Sequence, residues 1–319
     1  MSDNRADQSR LQAIWQSDVF YSFRRSPLAL GASFMTILCI AMAILAPVLA
    51  PHCVEPVCLD LMDGLNPPVW TQDGVPGFIL GTDEQGRDML SAILYASRTS
   101  LLVGFSAVAL AMVTGVLLGV VAGYFGGWVD VLIMRLADMQ LTFPNILIAL
   151  LIAGVTRSVL TDLSQRDILT GVDYEDVAIF VLIIAIALSD WPRFARVARG
   201  ATMVELNKGY VAAARVLGLP ARRIMLRHVL PNLMGPILII ATIGLALAII
   251  SEATLSFLGV GVPPTNPSLG TLINIGNQVL LSGEWWITLF PALALIVLVL
   301  SVNIIGDWLR DALNPKLRK

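Results

Sequence analysis

The chain has 319 residues, of which 56% are apolar and only 14% are charged, and its formal net charge is −2. A soluble domain of this length carries about a quarter charged residues, so the composition excludes an ordinary soluble protein. Three cysteines and two histidines are too few for a metal scaffold, and the near-neutral charge gives no field that would attract nucleic acid. The composition predicts an all-α polytopic membrane protein with no cofactor.

The chain begins with a polar tail, residues 1–27. Between Arg10 and Arg25 apolar residues recur at helical spacing, which predicts an interfacial helix on the cytoplasmic leaflet. A polar leader with accidental periodicity is the alternative. Residues 28–50 are predicted as the first transmembrane helix, and residues 51–98, rich in Pro and Gly, as a periplasmic segment.

Six apolar stretches were compared with the roughly 20 residues that a helix needs to cross a bilayer. They predict spans at 28–49, 99–122, 129–153, 177–188, 236–258 and 285–305. The third has an expected kink at Pro144. The fourth has only 12 continuous apolar residues, so it must borrow flanking residues or be buried by its neighbours. Trp285 and Trp286 are predicted to form an interfacial belt.

The second span carries small residues at every fourth position. They are Ala107, Ala111, Gly115, Gly119 and Gly123. Such a stripe lets a neighbouring helix backbone approach closely, so this span is predicted to lie inside the bundle.

The orientation follows from the lysines and arginines. With the N-terminus inside, the inner segments hold 16 basic residues and the outer segments four. The positive-inside rule then places both termini and residues 191–235 in the cytoplasm. Residues 99–309 become a five-helix core that includes this 191–235 loop, and 310–319 a cytoplasmic tail.

The basic segment 191–235 contains the clearest motif of the chain. A helix is predicted from Lys208 to Leu217, a break at Gly218, and a second helix from Pro220 to Pro231, because Gly ends helices and Pro fits a first turn. Such an insertion could dock another protein. The alternative is an ordinary loop held to lipid headgroups by its arginines. No phosphate-binding loop or other catalytic signature occurs, so any ATP hydrolysis must come from another chain.

The sequence AAARVLG, then nine residues, then His-Val-Leu-Pro resembles the cytoplasmic "EAA" loop of ABC importer permeases. LGTDEQGRDMLSAILYASRTSLLVG and SEATLSFLGVGVPPTNPSLG resemble the C-type permease of dipeptide, oligopeptide and nickel importers. Ala212 stands where many relatives have the glutamate, and His228 where the general motif has an aliphatic residue. The residues expected to dock an ATPase are Val211, Ala212, Ala213, Ala214, Arg215, Leu217, Gly218, Ile224, Met225, His228, Leu230 and Pro231.

The resemblance implies a non-catalytic permease subunit of an ATP-driven peptide importer. Its implied partners are a second permease, two cytoplasmic ATPases, an extracytoplasmic solute-binding protein and membrane lipid, with no nucleic acid. An importer of nickel complexes or other small solutes is the alternative within the family. A stand-alone secondary transporter is the alternative from another class, although no internal repeat is visible in the sequence.

For each group of charged residues near the spans, the sequence allows two interpretations. Arg135 and Asp138 are predicted to line the translocation path or to pair with each other. Glu252 is a further path candidate, or it caps the external loop. For Asp83, Arg87 and Asp88 the readings are contact with the binding protein, or capping of the helix that leads into the second span.

The two external cysteines lie five residues apart, where the periplasm is oxidising, which favours a disulfide between Cys53 and Cys58. His52 with both cysteines as a metal site is the alternative, although it is short of ligands.

Overall fold

The computed structural model describes residues 23–53, 60–165 and 174–312, and this part of the chain contains helices and turns but no β-strand. Six helices are long and apolar enough to cross a membrane, which confirms the predicted all-α, six-span fold. These are α1 (Pro27–Ile44), α3 (Met89–Phe125), α5 (Asn145–Gln165), α6 (Tyr174–Leu206), α8 (Ala221–Phe257) and α10 (Trp286–Ala312). Shorter helices are α2 (Ala46–Leu49), α4 (Gly127–Leu141), α7 (Gly209–Val216) and α9 (Leu269–Val279).

The centre of the bundle is the contact between α3 and α6, and the stripe of small residues makes it possible. A Cβ added at Gly115 would collide with the Trp191 carbonyl, and one at Gly119 with the Ala195 carbonyl. At Gly123 it would lie 2.9 Å from the Arg199 carbonyl oxygen. Ala107 and Ala111 on the same stripe are buried. The predicted interior position of this span is therefore found in the structure.

The third predicted span is broken rather than kinked. The chain leaves α3 at Gly126, forms α4, turns at 142–144 and starts again as α5 at Asn145, so α5 crosses and α4 does not qualify as a span. Pro144 stands in the turn, because proline cannot donate to the preceding helical turn. Arg135 and Asp138 are consequently on the separate helix α4, not in a continuous span.

Helix α4 is fastened to α6 next to Pro192, a proline inside α6. Pro192 has no N–H, so the Leu188 carbonyl lacks its helical donor. The Gln140 side-chain amide donates to this carbonyl at 2.6 Å and accepts from the Trp191 indole N–H at 2.9 Å. A side chain of α4 thus supplies the hydrogen bond that the Leu188 carbonyl of α6 would otherwise lack.

The fourth span borrows flanking residues, as predicted, and extends far beyond its apolar centre to Leu206. Residues 191–206 therefore belong to α6 and residues 221–235 to α8. The predicted loop 191–235 shrinks to the connection 207–220, which includes α7. Because α6 continues beyond its apolar centre, Arg196 and Arg199 lie on its extended part. They pair there with Asp138 and Asp130 of α4.

At the opposite end of the bundle from α7, segments 60–88 and 258–285 pack together over the helix ends. Trp286 is buried, and its indole N–H donates to the Thr82 carbonyl at 3.1 Å. It therefore joins two segments of the protein rather than an exposed aromatic belt, whereas Trp285 is exposed. Residues 1–22, 54–59 and 313–319 lie outside the described residues, and with them most of the predicted interfacial helix and of the C-terminal tail.

Candidate functional site

Helix α7 and the turn after it form a small projection between α6 and α8. Helix α7 ends at Val216, Gly218 follows with φ +71°, and the Leu219 N–H donates to the Ala214 carbonyl at 3.2 Å. A glycine in the left-handed conformation, followed by a residue whose N–H donates to a carbonyl of the last helical turn, is a common way for a helix to end. The helix and the break at Gly218 lie where the sequence predicted them.

The outward surface of this projection is apolar with basic residues around it. Val216 is 87% exposed and Leu217 is 77% exposed, and Ala213 beside them is exposed too. We call these three residues the α7 tip. Ala212, Arg215 and Gly218 are also exposed, as are Arg222, Arg223 and Arg227 on the following segment. Two large aliphatic side chains that stay exposed at the end of a short helix favour a surface that a partner covers.

Three of the residues predicted to contact a partner point inward instead. Val211, Ala214 and Ile224 are buried and belong to the hydrophobic core of the subunit. For Val211 and Ala214 the reason is the amphipathic pattern of α7, whose positions three apart share one face, whereas Ile224 lies on α8. These residues hold the projection in place, and only the opposite face is available for docking.

The second helix of the motif does not stop at Pro231. Ile224–Val229 form a π-helical turn in which the Leu230 N–H donates to the Met225 carbonyl, and Leu230 and Pro231 then open the α-helical part of α8. Pro231 has no N–H that could donate to the Arg227 carbonyl. Just before it, the backbone hydrogen bonds join residues five apart instead of four apart. Met225, His228 and Leu230 are half-buried, and Pro231 is exposed.

The charges of α4 pair with α6 rather than with each other. Asp138 accepts from Arg196 at 2.6 Å, and Asp130 accepts from the Arg199 guanidinium. The two described residues Arg135 and Asp138 form no ion pair, so the predicted local pairing is wrong. Both side chains of the Asp138–Arg196 pair are 52% exposed, and Arg135 is exposed. A lining role for Arg135 and Asp138 stays a prediction.

Glu252 links α3 and α8 within this subunit, and its predicted place in the translocation path stays a prediction. It is fully buried and accepts hydrogen bonds at 2.7 Å from Ser100 of α3 and from Ser256 of α8. Ser256 in turn accepts from the Val262 N–H at 3.1 Å, and Ser100 accepts from the Leu269 N–H at 3.2 Å. The carboxylate thus ties two spans to the segment that precedes α9, which favours the capping interpretation.

Asp83, Arg87 and Asp88 are also buried, each at most 1% exposed. The Arg87 guanidinium lies 2.9 Å from the Asp83 carboxylate and donates to the Pro264 carbonyl at 2.7 Å, while Asp88 caps α3 by accepting from the Ser91 N–H. Buried charges that are paired and hydrogen-bonded in this way fasten the segment, so the expected contact with a binding protein does not fit their position.

The cysteines are only partly described. Cys39 is free and Cys53 is in a disulfide. Cys58, the predicted partner, lies outside the described residues, so this pairing stays a prediction. The described residues contain no cluster of ligands that could hold a metal ion.

Sequence reasoning missed the side chains that hold α7 in place. Glu205, at the end of α6, lies next to Lys208 and Tyr210, and Tyr210 is bonded to Asn232 of α8. One signal was present, because Glu205 is the one acidic residue past Asp190 in the basic segment 191–235.

The sequence matches two families of known membrane transport proteins. The family described as binding-protein-dependent transport system inner membrane component matches residues 115–319, and the N-terminal TM domain of oligopeptide transport permease C matches residues 14–68.

Three curated relatives are similar over nearly their whole length. The di/tripeptide transport system permease protein DppC of Pseudomonas aeruginosa is 37% identical over 97% of this chain and 93% of the relative. The dipeptide transport system permease proteins DppC of Haemophilus influenzae and Escherichia coli K12 are 35% and 37% identical, over 98% and 97% of this chain and 97% and 94% of the relatives. The chain is therefore a multi-pass inner-membrane protein that belongs to the family of inner membrane components of binding-protein-dependent transport systems.

Proposed function

We propose that the chain is the transmembrane permease subunit of an ATP-driven importer that carries dipeptides or short oligopeptides. The observation that carries this proposal is the α7 tip, an exposed apolar surface with a basic rim on a chain with no nucleotide-binding motif of its own. The peptide as solute rests on the relatives, whose names specify dipeptide or di/tripeptide transport.

The tip has the shape and chemistry to enter a groove of a cytoplasmic ATPase. Val216 and Leu217 supply apolar area, and burial of such side chains stabilises a complex by about 1.5–3 kcal/mol each. The exposed arginines would face acidic groups at the rim of the groove, which sets orientation and association rate more than affinity. Closure of two ATPases on ATP would move the tip, and the bundle would then open to the other side. This chain supplies half of the path and no catalytic residue.

The remaining partners follow from the same proposal. A second, related permease would complete the path, and a periplasmic solute-binding protein would deliver the peptide. The most direct experiment is purification of the assembly from native membranes and identification of its chains and bound solute by mass spectrometry. Isolation of this chain with a second permease and ATPases, and peptide uptake that needs ATP in vesicles, would support the proposal. Uptake by this chain alone, driven by an ion gradient, would contradict it.

The orientation is tested by labelling. Asn207, next to α7, and Asp73, on the opposite side of the bundle, are both exposed. In a version of the chain without native cysteines, we expect a cysteine at Asp73 to react with an impermeant thiol reagent in spheroplasts. A cysteine at Asn207 should react only after the membrane is opened, because the positive-inside rule places it in the cytoplasm. Ready labelling at 207 in sealed spheroplasts would reverse the proposed topology.

Docking by the tip is tested with Leu217→Asp. The side chain is 77% exposed, so the subunit should fold and insert as before. In the complex the substitution removes apolar burial and places an unpaired carboxylate in the groove, so ATPase retention and peptide uptake should fall by at least about tenfold.

The matched control for this test is Met62→Asp, which introduces the same charge at a side chain that is 90% exposed on the opposite side of the bundle. It should leave ATPase retention unchanged. Normal retention in Leu217→Asp would show that the tip is not the docking surface.

A further inference from the structure

A single phenol oxygen joins α7 to both neighbouring spans. The Tyr210 hydroxyl donates to the Glu205 carboxylate at the end of α6. The Asn232 side-chain amide of α8 donates to the same hydroxyl at 3.2 Å. Tyr210 itself is the second residue of α7, so one oxygen lies where three helices meet.

The proton of this hydroxyl has two possible acceptors, Glu205 and the His228 carbonyl at 3.3 Å. The carboxylate is the stronger acceptor, because hydrogen bonds to a charged group are shorter and stronger. The His228 carbonyl already accepts from Asn232 at 2.7 Å. The arrangement is therefore directional, from Asn232 to Tyr210 to Glu205.

The carboxylate end of this chain of bonds is nearly buried. Glu205 is 7% exposed, and its second partner is the Lys208 ammonium at 2.5 Å. Burial, followed by the hydrogen bond to Glu205, raises the pKa of Tyr210 to about 12. The phenol is therefore protonated at every pH at which a cell operates, and the donor is always present. A buried carboxylate that lost this donor would be left short of a partner, which is costly.

The backbone on both sides of α7 is open to bending. Residues 207–208 form a turn before α7, and Gly218 has a left-handed conformation after it. Val211 and Ala214 pack α7 against the core, but apolar packing has no fixed direction, so the two connections can still take up part of a movement of the α7 tip. The hydrogen bonds of Tyr210 add a directional link, through which movement of α7 displaces the ends of α6 and α8.

We propose that Tyr210, held between Glu205 and Asn232, is the positioning residue that makes α7 and the adjacent ends of α6 and α8 move as one body, so that movement at the ATPase is transmitted to the path. This inference rests on the proposed function. It goes further in assigning transmission to a side chain of α7 that is not one of the three tip residues.

The test compares Tyr210→Phe with Asn207→Ala in the complete transporter, reconstituted with its ATPases and supplied with peptide-loaded binding protein. Tyr210→Phe keeps the ring and removes only the hydroxyl. Asn207→Ala removes a hydrogen bond from the same connection that reaches only the end of α6, from the Asn207 amide to the Met203 carbonyl. The measured quantities are ATPase retention and the number of peptides imported per ATP hydrolysed.

Tyr210→Phe should retain its ATPases and continue to hydrolyse ATP, while peptide imported per ATP falls by at least about tenfold, the factor expected from the loss of a hydrogen bond to a charged group. Asn207→Ala should have the wild-type ratio. Glu205→Ala should lose coupling, and Glu205→Gln, which still offers an acceptor to the phenol, should recover part of it. Asn232→Ala, which removes the α8 amide that donates to Tyr210 together with its bond to the His228 carbonyl, repeats the measurement if Tyr210→Phe does not accumulate.

A wild-type ratio in Tyr210→Phe, or in Asn232→Ala where that variant carries the test, would overturn the proposal. Loss of the ATPases from Tyr210→Phe would overturn it as well, because the residue would then shape the docking surface and not the transmission. Failure of the wild-type chain to bind ATPases at all would be a different result, since it would refute the proposed function on which this inference rests.

Discussion

Replacement of Gly119 by valine is expected to keep the protein from accumulating in the membrane. A Cβ at this position would collide with the Ala195 carbonyl of α6, and the next nearest atom would be the Ala198 side chain at 2.8 Å. Overpacking against movable side chains typically costs about 1–3 kcal/mol. Here the obstacle is backbone, which cannot rotate away, so α3 and α6 would have to separate along the whole stripe.

The control for this prediction is Gly200→Val, the same substitution on α6. A Cβ at Gly200 would meet nothing within 4 Å, so the local helix propensity changes but no contact is lost. Accumulation in membranes and thermal unfolding of the detergent-solubilised subunit should separate the two variants clearly. Equal accumulation and equal Tm would mean that the close approach of α3 and α6 does not hold the bundle together.

The spans were predictable because their signals are local. The stripe on α3 needs only one sequence to show that a backbone must come close, and hydropathy alone identifies the apolar helices. The break between α4 and α5 was not predictable in the same way. Pro144 is compatible with a kink or with a helix end, and the contact that fastens α4 here, from the Gln140 side chain to a carbonyl that Pro192 leaves free, lies in another helix that is distant in sequence.

Charged residues were the least predictable part of the chain, since their partners are distant in sequence. Asp138 pairs with Arg196, 58 residues away, and Glu252 accepts from Ser100, 152 residues away. A pairing rule for residues three or four apart on one helix cannot find such contacts. Asp83 and Arg87, for which contact with a binding protein was one of two predictions, and Glu252, a candidate for the path, are all buried and hydrogen-bonded within the subunit.

The position of the motif around α7 was predicted correctly, but the sequence did not show which of its residues are buried and which are exposed. The sequence placed the helix and the turn at Gly218, because glycine after a helix has a specific conformational meaning. It did not indicate that Val211 and Ile224 pack inward, or that Pro231 begins the α-helical part of α8 rather than ending a helix. The side of a short helix that faces its own protein is set by the spans on either side of it.

A valine at Gly218 is expected to abolish peptide uptake without a change in membrane insertion. Gly218 has φ +71°, a left-handed conformation that a β-branched residue does not adopt without strain. A residue forced into such a conformation costs about 1–3 kcal/mol. Because no atom lies within 4 Å of the added Cβ, the tip can relieve this strain by changing its shape. Docking would then require the strained form, and affinity for the ATPases would fall by roughly ten- to hundredfold.

Gly209→Val is the matched control, because Gly209 begins the helix that Gly218 follows, is also exposed and is also free of neighbours within 4 Å, but does not have a positive φ. An effect caused only by the size of the added valine side chain would appear in both variants. Backbone strain would appear only in Gly218→Val, because only Gly218 has a positive φ. ATPase retention on the purified assembly and ATP-dependent uptake in vesicles should therefore be lost in Gly218→Val and kept in Gly209→Val. If Gly218→Val imports peptide at the normal rate with its ATPases bound, the shape of this turn is not what the ATPase recognises, and the docking role must be assigned to another surface.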